Sequence, residues 1–244
     1  MAEQQDLKGL TALVTGATSG IGRATAEELA RHGADVVVHG RNASHGAAVV
    51  DAITAEGGQA RFAAADLNDP AGPDKLVRQA GLVDVLVNNA GFAWHGPTAD
   101  IDATTFDQMF AANVRAPYFL VGALAPKMAA RGGGSIINLG SEVGQIGLPH
   151  AAAYSATKGA MASMTRSWAA EFSPVGVRVN TVAPGPVYTS IQSDDETDAL
   201  GATTPMSRAA QPSEIAELIA FLASPKASYI TGAVIPADGG RSAI

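Results

Sequence analysis

Three residues between positions 140 and 160 have side chains suited to proton transfer: Ser141, Tyr154 and Lys158. Tyr154 and Lys158 are four positions apart, so on a helix their side chains project from one face, one turn apart. A free tyrosine titrates near pH 10, and a nearby ammonium favours the phenolate and lowers that pKa. Such a tyrosine can donate a proton to a carbonyl oxygen or take one from an alcohol. The same pair is also common on ordinary helices, so its position in the fold must decide.

Ser141 follows a run of strand-forming residues at 134–140. At the end of a parallel strand its hydroxyl would be placed to hydrogen-bond an oxyanion that develops on a substrate. The alternative interpretation is a serine that caps a turn.

A second motif, TGATSGIG at 15–22, lies between a predicted strand and a predicted helix. Glycines at 16, 20 and 22 allow a sharp turn, close approach of the backbone to a phosphate, and tight packing of helix on strand. The helix N-terminus offers unpaired N–H groups to an anion. The spacing is GxxxGxG rather than GxGxxG, and glycines also serve ordinary turns, but the position favours a dinucleotide site.

Arg41 indicates which dinucleotide binds. In dinucleotide folds an acidic residue at the end of the second strand binds the ribose hydroxyls of NAD. Here Gly40 stands at that position and Arg41 follows, while Asp35 lies at the other end of the strand. A guanidinium matches a 2′-phosphate in charge and in donor geometry. The sequence therefore favours NADP(H) over NAD(H), and the alternative is a solvated surface arginine.

Polar and small residues also follow the third and fourth predicted strands, where ligands of open α/β sheets collect. Asp66 is placed to hydrogen-bond an adenine amino group or, alternatively, to start a helix. We interpret Asn88 as a structural link between strands, and Ala90 and Gly91 as facing the cofactor.

Short β-rich runs alternate with longer helical runs along the whole chain, which is typical of a parallel sheet with helices on both faces. We predict a single α/β domain over 1–244, a doubly wound Rossmann fold of about seven strands. The predicted strands are 10–16, 34–40, 59–67, 83–89, 134–140, 175–184 and 232–238, and the predicted helices are 22–33, 43–56, 70–80, 103–130, 152–172 and 212–224. The long irregular segment 185–211 is predicted to be a substrate-binding loop or lid. Its carboxylates, Asp194, Asp195, Glu196 and Asp198, are interpreted as a solvated acidic turn.

The composition excludes several classes of protein. Hydrophobic residues make up 47% of the 244 residues and charged residues 16%, which indicates extensive burial. The net charge of −7 disfavours nucleic acid and anionic membrane surfaces as partners. There are no cysteines, and no His/Asp/Glu cluster has metal-ligand spacing, so no metal site is expected. Without a signal-peptide pattern or a membrane-spanning run, a cytoplasmic location is expected.

Taken together, the motifs resemble those of the short-chain dehydrogenase/reductase family. They occur in the family's order: TGxxxGIG at 15–22, NNAG at 88–91, Asn113 in a long helix, Ser141, YxxxK at 154–158, PG at 184–185 and ITG…DGG at 230–240. The resemblance covers essentially the whole chain and is similar in general pattern to 3-oxoacyl-[acyl-carrier-protein] reductases.

The resemblance implies a catalytic tetrad of Asn113, Ser141, Tyr154 and Lys158. Tyr154 would be the acid/base, Ser141 would polarise the carbonyl, and Lys158 would lower the tyrosine pKa and bind the nicotinamide ribose. Asn113 would bind a water that links Lys158 to solvent, although the residues alone suggested a helix-bending role. The implied cofactor contacts are Gly16, Thr18, Ser19, Gly20, Ile21, Gly22, Arg41, Asp66, Leu67, Asn89, Ala90, Gly91, Tyr154, Lys158, Pro184, Gly185, Val187 and Thr189.

The expected activity is NADP(H)-dependent interconversion of a ketone and a secondary alcohol. Alternatives are an NAD-dependent sugar, polyol or steroid dehydrogenase of the same fold and, from another class, a non-catalytic NADP-binding sensor or structural oligomer. Val175 stands where 3-oxoacyl reductases often carry arginine, which argues against a carrier-protein partner, although Arg131 could serve such a role. The resemblance also implies a homotetramer or homodimer built on the two long helices. The substrate pocket is expected to be lined by Phe92, Trp94, His95, Glu142, Gln145, His150 and Tyr188, with the alternative that each is an ordinary loop residue, the interpretation favoured for His95 and His150.

Overall fold

The computed structural model describes residues 5–189 and 193–244 and contains a seven-stranded parallel sheet in the order β3-β2-β1-β4-β5-β6-β7. The strands are β1 Thr11–Val14, β2 Asp35–Gly40, β3 Gln59–Ala64, β4 Val85–Asn88, β5 Gly134–Leu139, β6 Val177–Pro184 and β7 Val234–Ala237. Helices cover both faces of the sheet, so the predicted doubly wound Rossmann architecture is confirmed.

Eight α-helices connect and cover the strands in the described part of the chain. They are α1 Gly20–Arg31, α2 Ala43–Ala55, α3 Gly72–Ala80, α4 Ala103–Phe110, α5 Ala116–Ala129, α6 Ala152–Phe172, α7 Asp194–Gly201 and α8 Pro212–Ala223. Most predicted boundaries lie within a few residues of the observed ones, and the predicted strands extend a little beyond the paired residues.

The strand order reverses beside β1. Val14 pairs with Val38 of β2 on one side and with Val87 of β4 on the other. Because chain connections diverge at such a point, a crevice forms beyond the carboxyl ends of β1 and β4, where ligands of open α/β sheets bind. The loops that leave these two strands carry the glycine motif and the Asn88–Gly91 motif.

Two apolar clusters fill the space between the sheet and its helices. Alternate residues of β1 point to opposite faces, so Val14 joins Leu29 and Ile219 in one cluster, while Leu13 joins Leu120 and Trp168 in the other. Strands buried on both faces form a rigid base, and their carboxyl ends hold the site residues in place.

The long helix predicted over 103–130 contains an irregular turn. Between α4 and α5, residues Ala111–Arg115 form a π-helical turn with Asn113 at its centre. Such turns are rare and concentrate at functional sites. The sequence analysis predicted one helix over 103–130 with a helix-bending role for Asn113. The turn agrees with that role, and Pro117, which has no N–H to donate to the Asn113 carbonyl, follows it at the start of α5.

The expectation that 185–211 lacks regular structure is wrong for its centre, where α7 forms. Ser193 and Glu196 form a capping box: the serine hydroxyl accepts from the Glu196 N–H, and the carboxylate accepts from the Ser193 N–H. Asp194, Asp195 and Glu196 are exposed in the first turn, where carboxylates favour a helix start. The acidic segment is therefore a helix N-terminus rather than a solvated turn. Residues 190–192 lie outside the described residues.

Two side chains on α5 are exposed aromatics: Tyr118 and Phe119 are each more than half accessible. They lie on one of the two helices that the family resemblance implies in subunit contacts, and that association stays a prediction. In the described ranges, no helix is long and apolar enough to cross a membrane.

Candidate active site

The glycine motif forms a loop that leaves no room for side chains at positions 16 and 22. A Cβ atom on Gly22 would lie 2.3 Å from the Gly16 carbonyl oxygen, and one on Gly16 would lie 2.9 Å from the Cα of Ala90. Gly16 and Gly20 also have positive φ angles of 64° and 51°. The loop therefore brings its own backbone, and the start of α1, up to the crevice.

The first turn of α1 remains available to an anion. Ser19 precedes the helix, but its side chain makes no capping hydrogen bond to the helix N–H groups. The loop itself is held by Asn89, whose amide donates to the carbonyl oxygens of Thr15 and Gly16 at 2.8 and 3.1 Å. A fixed loop with unpaired N–H groups at a helix N-terminus suits a pyrophosphate.

His39 is a second support for this loop that the sequence analysis did not identify. Its Nδ1 accepts from the Gly16 N–H at 3.1 Å, and its Nε2 lies 3.2 Å from the Ala65 carbonyl oxygen. These partners require a neutral ring protonated on Nε2. Burial lowers the pKa of His39 from 6.5 to about 4, so the neutral form is the one present at pH 7. The signal in the sequence was a lone polar residue in the apolar run VVVHG.

Arg41 is exposed at the rim of the crevice, where the end of β2 meets α1. Gly40 carries no carboxylate, and a Cβ there would lie 2.6 Å from Cγ2 of Thr18, so this space is already filled. Asp66 is also exposed, and its Oδ1 accepts from the Asn68 N–H at 3.0 Å in a local turn. The rim therefore offers one guanidinium and one carboxylate at the predicted adenosine end.

These residues line a cleft of about 440 Å³, called the cofactor cleft below. Most of the predicted cofactor contacts lie along it: Gly16, Thr18, Ser19, Gly20, Ile21, Gly22, Arg41, Asp66, Leu67, Asn89, Ala90, Gly91 and Thr189. Asn88 is not among them. It donates to Asn138 at 2.8 Å and so ties β4 to β5, the structural part interpreted for it.

The residues predicted for proton transfer come together in a second cavity of about 450 Å³, called the reaction pocket below. Ser141 lies just past β5 and accepts from the Val143 N–H at 3.4 Å, which starts a 3₁₀ turn at Glu142–Gly144. Tyr154 and Lys158 lie in the first two turns of α6. The remaining predicted cofactor contacts, Pro184, Gly185 and Val187, line the same pocket.

Lys158 is buried and held by the end of a strand. Its Nζ donates to the Leu139 carbonyl oxygen at 2.7 Å and lies 5.5 Å from the centre of the Tyr154 ring. Burial lowers the pKa of Lys158 to about 8. The ammonium is thus fixed beside the tyrosine but bonded to the backbone.

In the protein alone the Tyr154 pKa is raised rather than lowered, and the lowering expected beside an oxidised nicotinamide stays a prediction. Burial raises that pKa to about 12, and interaction with the Ser141 hydroxyl opposes the shift only in part. The reason is desolvation of the phenolate, which outweighs the neighbouring polar groups. At neutral pH Tyr154 is therefore a phenol, the form that donates a proton.

Asn113 lies behind the reaction pocket and lines neither cavity. Its Oδ1 accepts from the Phe92 N–H at 3.1 Å, and its Nδ2 donates to the Phe92 carbonyl at 2.9 Å and to Thr157 at 3.1 Å. The side chain thus joins the π-helical turn to the loop after β4 and to α6. In the described residues its side chain forms no hydrogen bond with Lys158, whose Nζ donates to Leu139, and the implied water relay stays a prediction.

Of the seven residues predicted to line the substrate pocket, four line the reaction pocket: Phe92, His95, Glu142 and His150. His95 packs edge-on against Tyr154 with ring centroids 5.8 Å apart. His150 has a φ of 66°, a conformation that residues other than glycine adopt rarely and mostly at functional sites. Trp94, Gln145 and Tyr188 do not line the pocket, so these three predictions are wrong for this structure. Trp94 packs over Gly96, and Tyr188 hydrogen-bonds Asp198 on α7.

Arg241 is a pocket residue that the sequence analysis missed. It forms an ion pair with Glu142, and both side chains are largely buried. Burial raises the pKa of Glu142, while Arg241 acts in the opposite direction and Asp238 adds to the rise. The partners are 99 positions apart, and no local motif joins them.

Comparison with known proteins identifies the family to which the chain belongs. A family model described as enoyl-(acyl carrier protein) reductase matches residues 16–242. Gluconate 5-dehydrogenase of Gluconobacter oxydans (strain 621H) is 37% identical over 243 residues, 96% of this chain and 95% of that protein.

Solved structures of similar sequence share the fold over nearly the whole chain. A short-chain dehydrogenase/reductase family protein is 48% identical with a TM-score of 0.92, covering 98% of this chain and 100% of the other. A 3-oxoacyl (acyl-carrier-protein) reductase from Agrobacterium tumefaciens C58 with NADP bound is 34% identical with a TM-score of 0.93, covering 98% and 97%. The chain belongs to the short-chain dehydrogenase/reductase family and is an oxidoreductase.

Proposed function

We propose that the protein is an NADP(H)-dependent oxidoreductase that interconverts a ketone and a secondary alcohol, with Tyr154 as the acid/base. The observation that carries this proposal is that the cofactor cleft and the reaction pocket share Ile21, Asn89, Gly91 and Phe92 as walls. A dinucleotide bound along the cleft would therefore extend to the proton-transfer residues.

The residues present are suited to NADP(H). The glycine loop and the start of α1 would hold the pyrophosphate, Arg41 the 2′-phosphate and Asp66 the adenine. Tyr154 and Lys158 would hold the nicotinamide ribose, with Val187 and Thr189 at the carboxamide. When bound, the nicotinamide supplies or accepts the hydride. The NADP-bound relative from A. tumefaciens supports this cofactor, and Arg41 supports it from this chain.

The chain's own residues handle the proton and the oxygen. The Ser141 hydroxyl hydrogen-bonds the substrate carbonyl oxygen and stabilises the negative charge that develops there. Tyr154, a phenol at neutral pH, donates its proton to that oxygen. Lys158 keeps a positive charge close to the tyrosine below about pH 8, which stabilises the phenolate left behind. In the direction of alcohol oxidation the same atoms act in reverse.

Tyr154→Phe tests the proposal, because it removes the proton and keeps the ring. We expect NADPH-dependent reduction of any accepted ketone to fall by about 10³-fold, within the range for loss of a general acid. NADPH binding, followed by fluorescence titration, should stay within a few-fold of the wild type. A screen of ketones, sugars, steroids and acyl thioesters, with the reverse reactions on NADP⁺, supplies the substrate.

Tyr188→Phe is the matched control, because Tyr188 lies outside the reaction pocket and hydrogen-bonds Asp198 instead. It should retain most of the activity. Undiminished turnover by Tyr154→Phe would remove the tyrosine from the mechanism. NADPH binding without turnover of any carbonyl or alcohol in the wild type would favour the non-catalytic sensor.

A further inference from the structure

The ion pair between Glu142 and Arg241 lies in the reaction pocket, next to the residue proposed to polarise the substrate. Glu142 directly follows Ser141, and both charged residues line the cavity that contains Tyr154. The side chain of Glu142 is 4% exposed and that of Arg241 15%. The proton-transfer steps above use neither of them.

A hydrogen-bonded turn at residues 238–242 holds the backbone of Arg241 in place. The Asp238 carboxylate accepts from the N–H groups of Gly240 and Ser242 at 2.9 Å each, which fixes the turn that carries Arg241. In the described residues Arg241 donates one side-chain hydrogen bond, to Glu142. A guanidinium has five N–H donors, so most of its donors remain available to a molecule in the pocket.

The Glu142 carboxylate also keeps an unused acceptor. Its Oε1 accepts from Arg241, while its buried Oε2 has no hydrogen-bond partner within the described ranges. That second oxygen lies against Gly185, where a Cβ atom would come within 2.9 Å of it. An unpaired buried acceptor costs free energy unless something donates to it.

Stability alone does not account for charges at this place. A buried ion pair gains little over apolar side chains of the same volume, because desolvation offsets the attraction. The surrounding wall is apolar, with Val143, Leu148, Pro149 and Leu200 facing the same cavity. An apolar pocket with a few fixed polar groups is the usual arrangement for recognising one polar substituent on a small molecule.

The free groups of Glu142 and Arg241 indicate which substituent of a substrate they would bind. A hydroxyl group both accepts and donates, so it matches free guanidinium donors next to an unpaired carboxylate oxygen. A methyl group matches neither. A carboxylate matches the guanidinium but is repelled by Glu142 and by Asp238.

We propose that Arg241 and Glu142 recognise a hydroxyl group on a neutral carbonyl substrate, so that the protein prefers hydroxyketones to unsubstituted ketones and to keto acids. Arg241 is the contact residue, and Glu142 both positions it and accepts from the hydroxyl. This inference rests on the proposed ketone reductase activity and specifies its substrate class.

Three ketones built on one ring test the inference: cyclohexanone, 4-hydroxycyclohexanone and 4-oxocyclohexanecarboxylate. We expect wild-type kcat/KM with NADPH to be highest for the hydroxyketone, by on the order of tenfold over cyclohexanone, as for one hydrogen bond to a charged group. The keto acid should be the poorest substrate. Equal values for the hydroxyketone and cyclohexanone, or a preference for the keto acid, would overturn the proposal.

A double variant, Glu142→Gln with Arg241→Gln, removes both charges together and so avoids leaving one buried charge unpaired. We expect the hydroxyketone preference to fall to near one, with kcat/KM for cyclohexanone within about threefold of the wild type. An equal loss for all three ketones would instead make the pair a general support of the catalytic residues and contradict recognition. Glu214→Gln with Arg208→Gln, the same change in an exposed ion pair outside the reaction pocket, should leave the preference unchanged.

A binding measurement separates this inference from the proposed function. Calorimetry on protein with NADPH compares trans-1,4-cyclohexanediol with cyclohexanol; because cofactor and alcohol are then both reduced, no turnover takes place. Tighter binding of the diol, lost in the double variant, supports the recognition even if Tyr154→Phe argues against the catalytic proposal. Equal affinities for the diol and cyclohexanol would overturn the inference even in an active reductase.

Discussion

The cofactor cleft and the reaction pocket have similar volumes and shared walls, but they are built differently. The cleft is formed largely by backbone and by small residues, with glycines at positions where a Cβ atom would collide with the loop. The pocket is formed by side chains that come from the ends of β5 and β6, from α6 and α7, and from the C-terminal turn. The sequence analysis identified the glycine loop of the cleft as one continuous motif but missed His39; in the pocket it identified the motif residues and Phe92, His95, Glu142 and His150 but missed Arg241.

The difference shows which kind of site can be predicted from a local sequence motif. A backbone-built site requires specific residue types at short spacing, because only glycine allows such close approach and positive φ. A side-chain-built pocket needs suitable groups in space, and these can come from anywhere in the chain. The following predictions test this contrast, from the largest expected effect to the smallest.

Ser141→Ala should have the largest effect, and it should be confined to the reaction pocket. Loss of one donor to a developing oxyanion typically lowers kcat by about 10²- to 10³-fold. NADPH binding should stay near the wild-type value, because the cleft does not include Ser141. Steady-state kinetics and a binding titration measure the two effects, with Ser163→Ala on the exposed face of α6 as the control. A matching loss of NADPH affinity would mean that the two regions are not separable.

Gly22→Ala should damage the cleft through the backbone. The added Cβ would lie 2.3 Å from the Gly16 carbonyl oxygen and 2.4 Å from the Asn89 amide, so the loop must move. We expect NADPH affinity to fall by on the order of 100-fold, as several hydrogen bonds are misplaced together. Circular dichroism checks that the variant is folded, and fluorescence titration gives the affinity.

Gly122→Ala provides the control for that substitution, because a Cβ there meets nothing within 4 Å. Alanine in the interior of a helix should stabilise the fold slightly and leave the cofactor affinity unchanged. Wild-type affinity in a folded Gly22→Ala protein would refute the backbone-built description of the cleft.

Arg41→Asp should change which cofactor is preferred with a smaller effect on total activity. It removes the guanidinium proposed for the 2′-phosphate and places a carboxylate near the ribose, so NADPH should weaken by roughly tenfold or more while NADH improves. The ratio of kcat/KM for the two cofactors measures the change. Arg78→Asp makes the same charge change at an exposed position of α3 and should leave the ratio of kcat/KM for NADPH and NADH unaltered. An unaltered ratio in Arg41→Asp would make Arg41 a surface residue only.

His39→Gln should have the smallest effect on activity and a distinct effect on stability. The folded pKa of His39 is about 4 against 6.5 in the unfolded chain, so the unfolded state binds more protons between these values. Stability should therefore fall as the pH drops through this window, by about 2 kcal/mol between pH 7 and pH 5 from this residue. Urea unfolding at the two pH values should show a flatter dependence in His39→Gln than in the wild type. The exposed His45→Gln variant should behave as the wild type, and an equal pH dependence in all three proteins would exclude His39 as the cause.

Several features of the structure could be read from local sequence, and one was readable but missed. The alternation of β-rich and helical runs predicted all seven strands, because the order of buried strands and covering helices is a local pattern. The capping box of α7, Ser193 to Glu196, was equally local, but the helix is short and exposed and lacks a clear apolar period. The π-helical turn around Asn113 had only weak local signals, a polar residue in an apolar helix and the nearby Pro117, and the hydrogen bonds of Asn113 to Phe92 and Thr157 could not be predicted from either.

The sequence by itself determined the sheet, the glycine loop and the order along the chain of Asn113, Ser141, Tyr154 and Lys158. These features depend on backbone conformation and on residue spacing, and the residue types along the chain indicate both. Only the tertiary structure decided that His39 holds the loop, that Arg241 meets Glu142, and that burial raises the pKa of Tyr154 and lowers that of Lys158. Distance and desolvation across separate segments set these properties, and neither exists until the chain has folded.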